Sequence, residues 1–287
     1  MRACRIITTC FREGREWLNS YGKPIANTPN SPKEQLEFFK KQIEYCKRVD
    51  PGVETDIIIM LMTEDNTDTW HKWTTDKKSE AWVKSIDGDR CYSGIIKVIE
   101  AKNCPVGRAY HGYEIALRTI GNQYDYFLFS EDDVIIYQDN YLKNAIKEYN
   151  KEEEISFLSL GVVIDWLHNW EPHSAGGFGL TRKNKIPPSL GGKGKVINNY
   201  FDRNDEFIQD NANFPTMPTR EIIWTQVFRS TGFIKETETS CIMPVNWKQV
   251  PLLMNTLHKG GQIPYRCLIN TKPFIYQVGE DTDGRIS

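Results

Sequence analysis

Residues 124–134 narrow the fold of this chain more than any other stretch. They read YDYFLFSEDDV, a short aromatic and aliphatic run that stops in three adjacent carboxylates, Glu131, Asp132 and Asp133. A run this short and apolar is the mark of a strand buried within an α/β sheet. The C-terminal end of such a strand is where an open α/β sheet places its ligand. Three carboxylates there repel one another, and a cation relieves the repulsion. Hard oxygen donors suit Mg2+ or Mn2+. Along an extended backbone Glu131 and Asp133 point to one side and Asp132 to the other. One side can then serve a metal while Asp132 reaches a hydroxyl. The plain alternative is a solvated acidic turn. Its position after an apolar run, inside a β-α series, favours the metal reading.

The residues before this strand supply the rest of that series. Residues 5–11 (RIITTCF) are rich in β-branched side chains and predict a first strand. Ser31-Pro32-Lys33-Glu34 is a helix start: Ser as cap, Pro in the first turn, Glu three residues on. Leu36, Phe39, Ile43 and Cys46 follow at helical spacing, so 32–48 is an amphipathic helix, ended by Asp50-Pro51-Gly52. Residues 56–62 (DIIIMLM) predict a strand covered on both faces. Residues 67–92 give no clear element; Trp70, Trp73 and Trp82 pack on the sheet or face a ligand. Residues 95–100 predict a third strand. A helix with Ala109, Tyr113, Ala116 and Ile120 on one face then ends at Gly121. The first half is β-α-β-(α)-β-α-β, which implies a mainly parallel, layered sheet with right-handed crossovers.

The second half is less regular. Asp139 or Asn140 can cap a helix carrying Leu142, Ile146 and Tyr149. Residues 155–161 predict another strand. Trp166, His168, Trp170 and His173 fall in the following loop, and a Gly-rich stretch, 176–182, comes next. Residues 183–217 are too long for an ordinary connection and suggest a lid or a partly disordered loop. A helix capped by Thr219, a strand near 240–245, a helix near 248–259 and a strand near 273–278 complete the reading.

Composition excludes several functions. The chain has 287 residues, a formal net charge of −2 and no basic block, so nothing marks a nucleic-acid or anionic-membrane partner. No stretch approaches the ~20 apolar residues of a membrane span. Seven dispersed cysteines form no CxxC pair, so neither a zinc site nor a disulfide framework is indicated. With no signal-peptide pattern, the expectation is a soluble, cytoplasmic protein with reduced thiols. The P-loop, the GxGxxG fingerprint, the GxSxG elbow and the calcium-loop pattern are all missing from the sequence.

With those residues in place, the chain resembles the DxD-type glycosyltransferases of the GT-A fold, in the Glu-Asp-Asp form some of them use. FLFSEDDV is similar to their acidic strand. Asn103-(x)3-Gly107-Arg108-Ala109 with its helix is similar to the segment before that strand, and GGFGLTR at 176–182 to a later Gly-rich stretch that lines the donor-sugar and acceptor pocket. The resemblance covers about residues 5–185. It implies a GT-A-like, Rossmann-type α/β/α sandwich with a mainly parallel central sheet. It also implies a single domain over 1–287, with a nucleotide-sugar half at 1–133 and an acceptor half at 134–287.

The implied function is transfer of a sugar from a UDP- or GDP-sugar to a hydroxyl of a glycan or other acceptor, dependent on Mn2+ or Mg2+. Asp133 would be the direct metal ligand, Glu131 a second or water-mediated one, and Asp132 a contact to ribose or donor sugar. Thr8, Thr9, Phe11 and Arg12 match where the family holds base and ribose, with ordinary strand propensity as the alternative for the threonines. Glu64 and Asp65, after the second strand, are a further pair of such candidates. Arg108 can reach the diphosphate or sit on the helix surface.

Inversion of configuration would need a general base. Asp165, Glu171 and Glu221 are candidates, Asp165 and Glu221 foremost. Glu221 alternatively stabilises the first turn of a helix. His168, His173 and His258 are candidate third metal ligands, with structural roles as the alternative. Trp166 and Trp170 can stack on an acceptor sugar or pack in the core. Lys193 and Lys195 can close over the diphosphate or lie in a plain surface loop. The competing functions are a related nucleotidyltransferase and a non-catalytic sugar- or nucleotide-binding protein on the same fold.

Overall fold

A computed structural model describes residues 1–11, 31–63, 75–102, 108–132, 134–160, 162–163, 173–174, 177–191, 224, 227–236 and 256–258. Its centre is a set of four parallel strands: β1 (Ala3–Thr9), β2 (Thr55–Thr63), β3 (Ile96–Lys102) and β4 (Tyr126–Glu131). Every residue of β1 is buried, as are the first eight of β2, which accounts for their unbroken apolar and β-branched character. Beyond β4 lie β9 (Gly179–Arg182), β6 (Ile155–Ser159) and β10 (Phe233–Glu236). The seven strands form one sheet in the order β10-β6-β9-β4-β1-β2-β3. Only β9 runs against the rest, antiparallel to both β4 and β6. This is the mixed α/β, mainly parallel architecture expected from the alternating pattern.

Helices cover both faces. On one face, α1 (Pro32–Arg48) and α2 (Lys77–Ser85) pack Phe39, Ile43 and Val83 onto Ile7, Ile57, Ile59 and Leu61. On the same face α4 (Tyr141–Tyr149) packs Leu142 and Ile146 onto Leu128, Leu158 and Leu180. On the opposite face α3 (Arg108–Ile120) sets Tyr113, Ala116 and Leu117 against Ile6, Ile58, Met60, Phe127 and Phe129. Trp224 joins that layer, with Tyr113, Phe129 and Phe228 at ring-centroid distances of 5.2, 5.1 and 5.4 Å. Each large side chain buried in this way stabilises the fold by about 1.5–3 kcal/mol before entropy is subtracted.

Local chemistry sets several element ends. The capping box of α1 is complete: Glu34 N donates to Ser31 Oγ at 3.2 Å, and Ser31 N to Glu34 Oε2 at 3.0 Å. In α2, Asp76 caps through Ser79 N at 2.8 Å. This helix emerges inside the span that gave no clear reading. Its Trp82 lies edge-on to Phe39 at 6.3 Å, so it packs on the core.

Three expectations change. Asn140 stands at the N-cap of α4 in the left-handed region (φ 58°) and makes no side-chain cap bond. Asp139 does not cap it either, since its Oδ1 accepts from Asp50 N at 2.8 Å. Within the helix expected near 248–259, Thr256–His258 is instead a strand that pairs with the segment after the acidic triplet, and residues 248–255 lie outside the described residues. Part of the expected Gly-rich pocket lining is the central strand β9. A Cβ at its Gly179 would fall 2.3 Å from the Phe157 ring, so only glycine lets the strand pass there. The expected strands near 240–245 and 273–278 lie outside the described residues.

Candidate functional site

The sheet order locates a crevice. From β1 the chain proceeds through β2 and β3 toward one edge, whereas β4 joins on the other side of β1. The reversal makes the β1–β4 pair a topological switch point, the place where the crossover loops diverge and leave a gap at the strands' C-terminal ends. In the parallel register Thr8 is paired with Glu131. The next residues meet on the α1 face, where Thr9 Oγ1 donates to Asp132 Oδ2 at 2.8 Å. Asp132 is 5% exposed and Glu131 is half-buried. Two polar pairs thus share the edge from opposite faces of the sheet, Thr8 and Glu131 toward α3 and Thr9 with Asp132 toward α1.

Other elements approach the same edge. α3 follows β3 and runs back across the sheet, so its positive N-terminal end lies at the strands' C-terminal side. Its Gly112 lets the helix come close: a Cβ there would sit 2.8 Å from Thr8 Cγ2 and 3.0 Å from Met62 Sδ. After the triplet, β5 (Val134–Ile136) pairs antiparallel with β11 (Thr256–His258), and His258 is the register partner of Val134. A residue 124 positions away in sequence is therefore set beside the chain that leaves the acidic turn.

Two buried polar residues that the sequence reading passed over brace this turn. Arg5, 2% exposed, donates through Nε to Ser130 Oγ at 3.0 Å and through Nη2 to Val134 O at 2.7 Å. Its third nitrogen lies 3.8 Å from Cys46 Sγ. Burial raises the Cys46 thiol pKa, and the Arg5 charge beside it only partly offsets that. Gln42, 0% exposed, donates to Glu131 O at 3.1 Å and to Val134 O at 2.6 Å. The available signal was a cation inside a strand buried throughout and an amide on the apolar stripe of a helix.

The structure thus brings together Thr8, Thr9, Glu131 and Asp132. Phe11 departs from the group: its ring is fully buried 5.8 Å from Phe39, in the core beneath α1. Arg12, Glu64, Asp65, Asp133, Asp165 and Glu221 lie outside the described residues, as do Trp166, His168, Trp170, Glu171, Lys193 and Lys195. Arg108 opens α3, but its side chain is outside the described set too, and His173 falls in the short strand β8 (His173–Ser174). Among the described residues no three acidic, histidine or cysteine side chains form a metal cluster. The donor chemistry fits a hard divalent cation all the same. Glu131 ends its strand half-exposed, the acidic run continues into Asp133, and such ions require only one or two protein carboxylates.

No family model and no curated protein matches the chain. Solved structures do. A CMP:2-keto-3-deoxy-manno-octonic acid synthetase complexed with CTP is 11% identical with a TM-score of 0.42, over 82% of this chain and 89% of that one. TarS 1–349 of S. aureus in complex with UDP is 11% identical with a TM-score of 0.37, over 84% of this chain and 59% of that one. An active-site mutant of LgtC is 9% identical with a TM-score of 0.40, over 83% and 72%. This chain therefore spans less than two thirds of the TarS fragment. Likenesses this distant decide no activity, and the fold stands on the sheet itself. Among the described residues no helix is long and apolar enough to cross a membrane.

Proposed function

We propose that this chain is a divalent-metal-dependent glycosyltransferase that moves a sugar from a UDP- or GDP-sugar to a hydroxyl of a glycan or other acceptor. One observation carries the reading: the switch-point pairing of β1 with β4, which sets Thr8 and Thr9 against Glu131 and Asp132 at the ligand edge of the sheet. In this reading Thr8, Thr9 and Arg12 hold the nucleoside, with Glu64 and Asp65 as further contacts. Asp132, steadied by Thr9, meets a ribose or sugar hydroxyl. Glu131 and Asp133 would hold Mn2+ or Mg2+, with His168, His173 or His258 as a candidate third donor; of these, His258 belongs to the strand that pairs with Val134–Ile136.

Transfer develops negative charge on the departing diphosphate. The bound cation supplies charge neutralisation there. Arg108 and the first-turn amides of α3 add positive potential from the other side of the crevice. Asp165 or Glu221 takes the proton from the acceptor hydroxyl in an inverting displacement.

The test is turnover of UDP- and GDP-sugars over an acceptor panel, with Mn2+ or with chelator. The expected result is metal-dependent release of UDP or GDP. Pyrophosphate release from a nucleoside triphosphate and a sugar phosphate would identify nucleotidyl transfer instead. Nucleotide-sugar binding with no turnover would identify a binding protein.

A further inference from the structure

We infer that Arg5 and Gln42 are positioning residues that clamp the acidic turn, so that the geometry of the metal site is set from the core of β1 and α1. The inference rests on the proposed reading of Glu131 and Asp133 as metal ligands. The two side chains come from different elements and converge on one acceptor, Val134 O, at 2.7 and 2.6 Å. Each also takes a second grip upstream of the turn, Arg5 on Ser130 Oγ and Gln42 on Glu131 O. The chain is therefore held at residues 130, 131 and 134, and Asp133 lies between the held points. Thr9 fixes the Asp132 carboxylate from the same face. The backbone that carries Glu131 is thereby fixed at its own carbonyl and at Val134, and an ion with strict ligand geometry requires a support of that kind.

The chemistry of the two residues argues against simple packing. Arg5 is a buried cation whose partners are the Ser130 and Tyr141 hydroxyls, the Val134 carbonyl and the Cys46 thiol. Among the described residues no carboxylate forms an ion pair with it. A buried charge of this kind is costly, and an apolar side chain would usually fill such a place with equal or greater stability. Gln42 shows the same pattern. Its Nε2 makes two hydrogen bonds, whereas its buried Oε1 has no partner among the described residues. An orphaned acceptor in the core lowers stability, so the residue is present for its donor group. The two residues meet at one acceptor, Val134 O, at the exit of the acidic turn.

Gln42→Met separates positioning from packing. Methionine matches the length of glutamine, removes the orphan oxygen and cannot donate. The variant should melt within a few degrees of wild type. Its Mn2+ affinity, measured by calorimetry with UDP or with GDP present, should fall about tenfold or more, the usual effect of removing a support to a metal ligand. Arg5→Lys keeps the charge but loses the planar fork. It should bind Mn2+ less well than wild type and better than Arg5→Met. Should Arg5→Met fail to fold, Gln42→Met still decides. Wild-type affinity in Gln42→Met, with wild type binding Mn2+ normally, would overturn the clamp and leave the site intact. Absence of Mn2+ binding in wild type would overturn the site reading, and the clamp with it.

Discussion

Asp56 and Asp132 are both buried aspartates on one sheet, and they stand at opposite ends of it. Asp56 opens β2 and is 2% exposed. Arg2 Nη2 reaches it at 2.8 Å, the Tyr124 hydroxyl at 2.7 Å, Ile95 N at 3.0 Å and Lys97 Nζ at 3.4 Å. Burial alone would raise its pKa. The Ile95 amide, the Tyr124 hydroxyl and the Arg2 and Lys97 charges outweigh that and hold it below the usual carboxylate range. Burial, then the hydrogen bond to Asp56, pushes the Tyr124 phenol the other way, far up. Two cations are committed to that one carboxylate. At the other end, Asp132 takes the Thr9 hydroxyl, and Arg5 donates to neutral acceptors. The first arrangement fastens β2, β3 and the start of β4 together. The second spends its buried cation on a hydroxyl and a backbone carbonyl of the acidic turn.

Substitutions should separate these two roles. Asp56→Ala leaves Arg2, Lys97, Tyr124 and Ile95 N without their acceptor. Because Arg2 and Lys97 are partly exposed, the expected loss of stability is about 2–4 kcal/mol rather than the full penalty of a sealed pair. Denaturant melts measure it, and Mn2+-dependent nucleotide binding should survive. Gly112→Ala works at the functional end, pressing a methyl group onto Thr8 and Met62. It should cost about 1–3 kcal/mol by calorimetric melting and weaken nucleotide binding as α3 shifts from β1. Thr9→Val removes the hydroxyl from Asp132. It should lower stability by about 1.5 kcal/mol while weakening nucleotide binding, a combination Asp56→Ala does not share. The smallest effect is the pH dependence of Asp56. Its folded pKa is depressed, so its stabilisation is present above the unfolded value of about 4 and is lost as pH falls through the folded value. The wild-type unfolding midpoint should drop across that acidic range, with a shallower drop in Asp56→Asn.

Much of this was legible in the chain. The unbroken apolar runs of β1 and β2 and the complete cap of α1 follow from rules that operate over a few residues. So does the parity of the triplet, which sets Asp132 on the Thr9 side. What escaped depended on contacts distant in sequence. β9 has only four residues, too few for a period, and its central place is decided by pairing with β4 and β6. α2 carried a cap signal at Asp76, diluted by a charged and tryptophan-rich setting. β11 is a strand because β5 is there to pair with it, a partner that no local propensity reveals. At the site, the carboxylates announced themselves by type. Arg5 and Gln42 did not, because their role lies in reaching backbone oxygens more than 80 residues away.

The most direct test is calorimetric titration of UDP and of GDP into wild type and Asp133→Ala, each with and without Mn2+. Wild type should bind one nucleotide strongly only when Mn2+ is present, and Asp133→Ala should lose that binding on the order of a hundredfold while melting like wild type. Equal binding with and without the metal, in both proteins, would contradict the assignment of the acidic edge.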